Sequence, residues 1–168
     1  MKKAAVMVGL LMVGLVVSPG LWSQDKDHAE LAKAVAGAKV SLEQGLTASA
    51  HAGKPISAKF EIEDGKLQLS VYTAKGDAFS EVVVDHNAGK AAKTEAITSG
   101  EDLSAAKTQN EAMAKAKQPL SVALVRVLKS NPGFRAVSIF PALKDGHPVA
   151  EITLTKGDEW KTVSEKLD

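Results

Sequence analysis

Residues 56–84, ISAKFEIEDGKLQLSVYTAKGDAFSEVVV, decide the fold. Ile56 to Glu63 alternates, with Ala58, Phe60 and Ile62 on one face and Glu61 and Glu63 turned the other way. That period of two is the mark of a half-buried strand. Asp64-Gly65 follows, a dipeptide suited to the two left-handed positions of a tight hairpin turn. Leu67, Leu69 and Val71 then alternate with Gln68, Ser70 and Tyr72, and Lys75-Gly76-Asp77 turns the chain into a third apolar run, Phe79 to Val84. Three strands joined by two short turns predict an antiparallel meander.

Upstream, Ser41 is a candidate helix N-cap, and Leu42, Leu46 and Ala50 form one stripe of a short helix that Gly53-Lys54-Pro55 ends. Downstream, Asp85-His86-Asn87-Ala88-Gly89-Lys90 reads as a further turn, and Ala91 to Ile97 as a short closing strand.

The pattern then recurs. Asp64-Gly65 returns as Asp145-Gly146 and Lys75-Gly76-Asp77 as Lys156-Gly157-Asp158, both 81 residues on, with Phe79 matched by Trp160 and Val82 by Val163. Ala38-Lys39, Leu42 and Leu46 match Ala116-Lys117, Leu120 and Leu124 at an offset of 78. Three extra residues are therefore expected between Asn131 and Leu143. In the second copy Pro119 fits a helix start. Leu120, Leu124, Val127 and Leu128 form its buried stripe, and Asn131-Pro132-Gly133 stops it. Strands are expected over Phe134 to Leu143, Pro148 to Leu154 and Glu159 to Glu165. Pro141 predicts an edge position or a bulge for the first of these.

Two more helices frame the copies, one over Asp27 to Ala36 and an Ala- and Lys-rich one over Leu103 to Lys117, expected to break before Pro119. At the start of the chain Lys2 and Lys3 precede an uncharged run from Ala4 to Trp22, broken by Ser18-Pro19-Gly20. This is the order of a secretory signal peptide, with cleavage expected after Gly20 or Ser23. An uncleaved anchor is the alternative, because 19 uncharged residues approach the ~20 that span a bilayer. The expected organisation is thus a signal peptide or anchor over 1–23, an N-terminal helix over 24–37, a first unit over 38–97, a helical connector over 98–115 and a second unit over 116–168. The expected location is exported, periplasmic or secreted.

The 168 residues carry 21 Lys+Arg against 20 Asp+Glu and no cysteine. The charge balance argues against a nucleic-acid partner, since lysines are interleaved with acids rather than gathered into a stripe. The absence of cysteine excludes disulfides, thiolate metal sites, a cysteine nucleophile and a lipid-modified N-terminal cysteine. None of His28, His51, His86 and His147 has zinc-ligand spacing. No G-x-S-x-G, Walker A or G-x-G-x-x-G occurs, so no catalytic residue, metal or cofactor is expected.

The helix opening Ser41-Leu42-Glu43-Gln44, the strand, Asp64-Gly65, the alternating strand, the Lys75-Gly76-Asp77 turn and then Val82-Val83-Val84-Asp85-His86-Asn87-Ala88-Gly89-Lys90 together resemble a PepSY domain. The final strand and Asp-to-Gly-Lys turn is that family's most recognisable piece. The second copy departs from it at Asp168, before any such turn. The resemblance implies an α+β fold of two αβββ units, each a helix packed on a small antiparallel sheet. It also implies a non-enzymatic binding role, since PepSY domains occur in thermolysin-type metallopeptidase propeptides, where they are thought to inhibit, and in exported bacterial proteins.

The leading expectation is a peptide- or protein-binding module of the cell envelope that takes a partner strand at a sheet edge, a peptidase being one such partner at the family level. The alternatives are a structural or sensory spacer and, less favoured, an enzyme with an unrecognised site. Tyr72, Phe79 and Trp160 are the candidate partner contacts. Against that stands the plainer reading, that Phe79 and Trp160 plug the core and Tyr72 is half-buried.

Overall fold

A computed structural model describes residues 21–168, with side chains from Asp27 onward. The signal segment expected over residues 1–23 lies outside the described residues, except that Leu21 to Ser23 begin the first helix. Elements in chain order are α1 (Leu21–Gly37), α2 (Leu42–Ser49), β1 (Lys54–Glu63), β2 (Lys66–Lys75), β3 (Ala78–Val84), β4 (Ala91–Ile97), α3 (Gly100–Lys115), α4 (Leu120–Ser130), β5 (Arg135–Lys144), β6 (His147–Lys156) and β7 (Glu159–Lys166). No described helix is long and apolar enough to cross a membrane.

The fold is α+β, with helices packed on one antiparallel sheet of order β4-β3-β2-β1-β5-β6-β7. The separate small sheets expected for each half are instead continuous, because β1 and β5 pair through Ala58–Ile139 and Lys59–Ser138. The turns explain the local path. Asp64 and Gly65 hold φ of 48° and 74°, and Asp145 and Gly146 hold 51° and 81°. These are the paired positive angles that match the twist of flanking strands in a two-residue hairpin. Ser41 caps α2 reciprocally: its Oγ accepts from Gln44 N at 3.2 Å, while Ser41 N donates to Gln44 Oε1 at 2.8 Å.

Structural details recur at the sequence offsets. Ile56 is the extra residue of a bulge in β1 and Val137 that of a bulge in β5, 81 residues apart. Lys39 and Val40 donate their amides to His86 O, while Lys117 and Gln118 donate theirs to Leu167 O. Those donors are 78 apart and those acceptors 81. The three extra residues fall inside α4, not between Asn131 and Leu143. The helix starts differ by 78 and the helix ends, Ser49 and Ser130, by 81. Three residues are close to one turn, so a helix absorbs them without turning its apolar face away.

Cross-strand neighbours assign the two faces of the sheet. Phe60, Leu69 and Val84 lie in one row, and Ala58, Val71 and Val82 in the next. With Ile139, Ile152 and Leu154 they form the inner surface on which α2 and α4 lie side by side. α3 takes the opposite face, where the Ser57 hydroxyl donates to Gln109 Oε1 at 2.6 Å in a buried contact. The segment expected as a connector is therefore the second cover of the sheet. Its stripe is thin because Ala106 and Ala112, both buried, let the helix sit close.

β5 is an interior strand and its bulge is at Val137, so neither expectation for Pro141 holds. Pro141 is tolerated because it lies two residues past Ile139, where β5 has left β1 and no ladder bond is lost on that side.

Candidate functional site

The two edges of the sheet differ in how they are covered. β4 is exposed from Ala91 to Ala96, with Ile97 part-buried against the core; among the described residues its only substantial neighbour is β3, and it contains no proline. Lys93 and Glu95 project from it and pair with each other at 2.8 Å. β7 is occupied on both faces. Trp160 stacks on His28 of α1 with ring centroids 4.7 Å apart, and Arg126 of α4 reaches Glu165 at 2.6 Å. A free edge with unpaired N–H and C=O groups is a template for another strand; β4 and β7 both end the sheet, and β4 is the one without side-chain contacts of this kind to a helix on its faces.

The Asp85–Lys90 turn holds β4 in place. Asp85 N donates to Lys90 O and Gly89 N to Asp85 O, at 2.9 and 2.8 Å. Asp85 Oδ1 accepts from Asn87 N at 2.8 Å and from Ala88 N at 3.1 Å. These two N–H donors hold the Asp85 carboxyl below its ordinary value. Gly89 takes φ of 68°, a left-handed position that suits glycine. The motif that carried the family resemblance is thus a backbone lock. It closes the β3–β4 hairpin, and its His86 carbonyl receives the linker between α1 and α2.

Beside this edge, on the α3 face, the strand register lines up two polar rows. One runs Ser57–Tyr72–Glu81–Glu95 and the other Lys59–Ser70–Val83–Lys93. Lys59 pairs with Glu61 at 2.5 Å, Ser70 Oγ donates to Glu61 Oε1 at 3.1 Å, and Gln68 Nε2 donates to Ser70 Oγ at 2.9 Å. Burial raises the Glu81 carboxyl above its ordinary value, opposed by a hydrogen bond from Ser70 and reinforced by the Glu61 charge. Burial also pushes the Tyr72 phenol far up, with Glu81 and Glu61 adding to it. This raised carboxyl lies on β3, next to the strand that carries the free edge. Among the described residues no group of three or more His, Asp or Glu side chains is placed to hold a metal ion.

Tyr72, Phe79 and Trp160 share the α3 face but are not brought together. Tyr72 and Phe79 sit on neighbouring β2 and β3, while Trp160 is on β7 across the sheet. Tyr72 is 7% exposed and Phe79 5%, so Tyr72 is more deeply covered than the half-buried state expected, and neither offers surface to a partner. The reason for Tyr72 is α3, which the sequence presented as a linker. Trp160 is part-buried and engaged with His28. The residues that stand at the open margin, Glu81, Lys93 and Glu95, were not singled out from sequence. Both turns are two-residue turns, so counting outward from them pairs Tyr72 with Glu81 and Lys59 with Ser70. That count was the available signal.

No family model and no curated protein matches the chain. Among solved structures it is similar to a "putative lipoprotein" of Clostridium difficile 630, at 16% identity and a TM-score of 0.37, over 68% of this chain and 76% of that one. A likeness at that level carries neither architecture nor role across.

Proposed function

We propose that this is an exported, non-catalytic protein of the cell envelope that binds an extended peptide or protein strand along β4, with a peptidase as one such partner. The observation that carries the reading is the uncovered β4 edge, seven residues long, proline-free and locked in position by the Asp85 turn. Strand addition draws its affinity from main-chain hydrogen bonds, so it asks for an edge held in register rather than for a reactive constellation. Export rests on the order of residues 1–23: basic start, apolar run, small-residue break.

The architecture belongs to the same proposal: two αβββ units of PepSY type, 38–97 and 116–168, fused edge to edge. Four observations support it. The bulges at Ile56 and Val137, the Asp-Gly turns and the amide-accepting carbonyls of His86 and Leu167 recur 81 residues apart. The joining pair Ala58–Ile139 differs by that same 81. A residue paired with its own equivalent is what a two-fold axis through the joint requires.

The test is to add a thermolysin-type metallopeptidase to the protein and follow both hydrolysis of a small peptide substrate and amide exchange in residues 91–97. Slowed hydrolysis together with slowed exchange in β4 is the expected result. If hydrolysis slows while β4 exchanges as before, the edge is the wrong site; if neither changes, the peptidase is not a partner.

A further inference from the structure

We propose that β4 pairs with β4 of a second copy of this chain, antiparallel and centred on Thr94, joining two sheets into one. The inference rests on the reading of β4 as an open acceptor edge and names one strand that fits it. Charge complementarity, read through register, identifies the partner strand. In an antiparallel self-pair about Thr94, Lys93 lies opposite the second copy's Glu95, and Glu95 opposite its Lys93. All seven residues of the strand find a partner. Opposite charges directly across a strand pair are favourable and like charges are not.

The neighbouring registers that keep the faces aligned are centred on Lys93 or Glu95. They set lysine against lysine or glutamate against glutamate, so charge selects the Thr94 register alone. Lys93 and Glu95 already lie 2.8 Å apart within one strand. The self-pair therefore closes a ring of four alternating charges on one face. On the other face Thr94 meets its own copy between Ala92 and Ala96, side chains small enough for two strands to approach. Ala58–Ile139 joins β1 to β5 in the same antiparallel manner within the chain.

Among the described residues no helix packs substantially on β4, so the new contact is little more than one strand pair. That is well under the ~1,200 Å² of a standard stable interface. A weak, reversible dimer is expected, visible at high protein concentration. The test is sedimentation over a concentration series, with circular dichroism confirming that each variant is folded. Wild type should shift toward dimer. Lys93→Glu and Glu95→Lys, each alone, should weaken the dimer at least about tenfold by turning both attractive pairs repulsive. An equimolar mixture of the two variants should dimerise again, because acid once more faces base at both positions.

A wild type that stays monomeric throughout, single variants that dimerise as wild type does, or a mixture that fails to restore pairing would each overturn the proposal. A synthetic peptide of residues 90–98, titrated while the 91–97 amides are watched by NMR, separates the two levels. Peptide-induced shifts without a dimer sink self-pairing alone. No shift and no dimer sink the acceptor edge as well.

Discussion

Gly45→Ala is a substitution on which two ordinary rules disagree, and the packing decides between them. Gly45 lies in the middle of α2, where alanine is normally favoured by about 1 kcal/mol. A Cβ at that position, however, would stand 2.7 Å from Leu69 Cδ2, 3.2 Å from Cγ and 3.3 Å from Cδ1. All three branch atoms are crowded, so exchanging one methyl for the other brings no relief. Leu69 is also completely buried and has no solvent side to move into. Overpacking of this kind costs roughly 1–3 kcal/mol. The net expectation is a loss of about 1 kcal/mol, a fall in Tm of about 2–4 °C for a chain of this size.

The second half of the molecule shows how the conflict can be resolved. At the matching offsets the helix residue is Ala123 and the strand residue Ala150, both fully buried. A Gly–Leu pair in one half stands where the other has Ala–Ala. Leu69→Ala alone should cost about 2–5 kcal/mol, and the double variant should cost about 1 kcal/mol less than the sum of the two singles, because the added methyl enters the space that the leucine leaves. Urea unfolding of all four proteins, with unchanged slopes, gives the coupling. A Gly45→Ala protein more stable than wild type, or strictly additive costs, would refute the reasoning.

Three further outcomes follow from the same contacts. Ser41→Ala removes the reciprocal cap of α2 and should lower the unfolding free energy by about 1 kcal/mol, measured by denaturant titration. Glu81→Gln should stabilise the protein at neutral pH. The folded state raises the Glu81 carboxyl, so its contribution is complete below the ordinary carboxylate range and is lost as pH rises through the raised value. Lys59, Glu61, Tyr72, Glu95 and Asp102 face it in both proteins, so stability-against-pH curves of variant and wild type should converge at low pH, and a constant gap would refute this. Asp85→Ala should speed amide exchange across residues 91–97, because Asn87 N and Ala88 N lose their acceptor. The same loss of protection, measured against the intrinsic exchange rate at each pH, should appear in wild type as pH falls through the lowered Asp85 value, and protection indifferent to both changes would sink this role for the turn.

The parts of the fold legible in the sequence are those written in local chemistry. Asp64-Gly65 and Asp145-Gly146 demand a tight hairpin wherever they stand between apolar strands, and the strands flanking them alternate cleanly. What was not legible depends on distant contacts. Nothing near Ala106 or Ala112 announces that an alanine-rich helix covers a sheet face, because small residues leave a faint apolar signal and a close fit. Tyr72 is buried, not half-buried, for that reason. Pro141 sits in an interior strand because that strand is locally unpaired beyond the short β1–β5 joint, which no residue near it announces. The candidate margin was half legible: β4 was anticipated as a closing strand, but its standing as the uncovered edge depends on where α1 and α4 pack.

The offset of 81 also separates what the two halves share from what they do not. Shared features are backbone features: two bulges, two Asp-Gly turns, and two carbonyls that each receive a pair of amides. On the α3 face the side chains diverge. Lys59, Glu61, Tyr72 and Glu81 in the first half stand where the second has Phe140, Ala142, Thr153 and Thr162. A fold needs the first set of features in both halves, whereas a polar network beside a free edge is needed once. If that network tunes what β4 accepts, then Thr162→Glu in the second half should leave strand binding at β4 unchanged, while Glu81→Gln should alter its pH dependence. Binding of the 90–98 peptide, followed through the β4 amides between acidic and neutral pH, decides the matter. An identical pH profile for Glu81→Gln and wild type would make the network structural only.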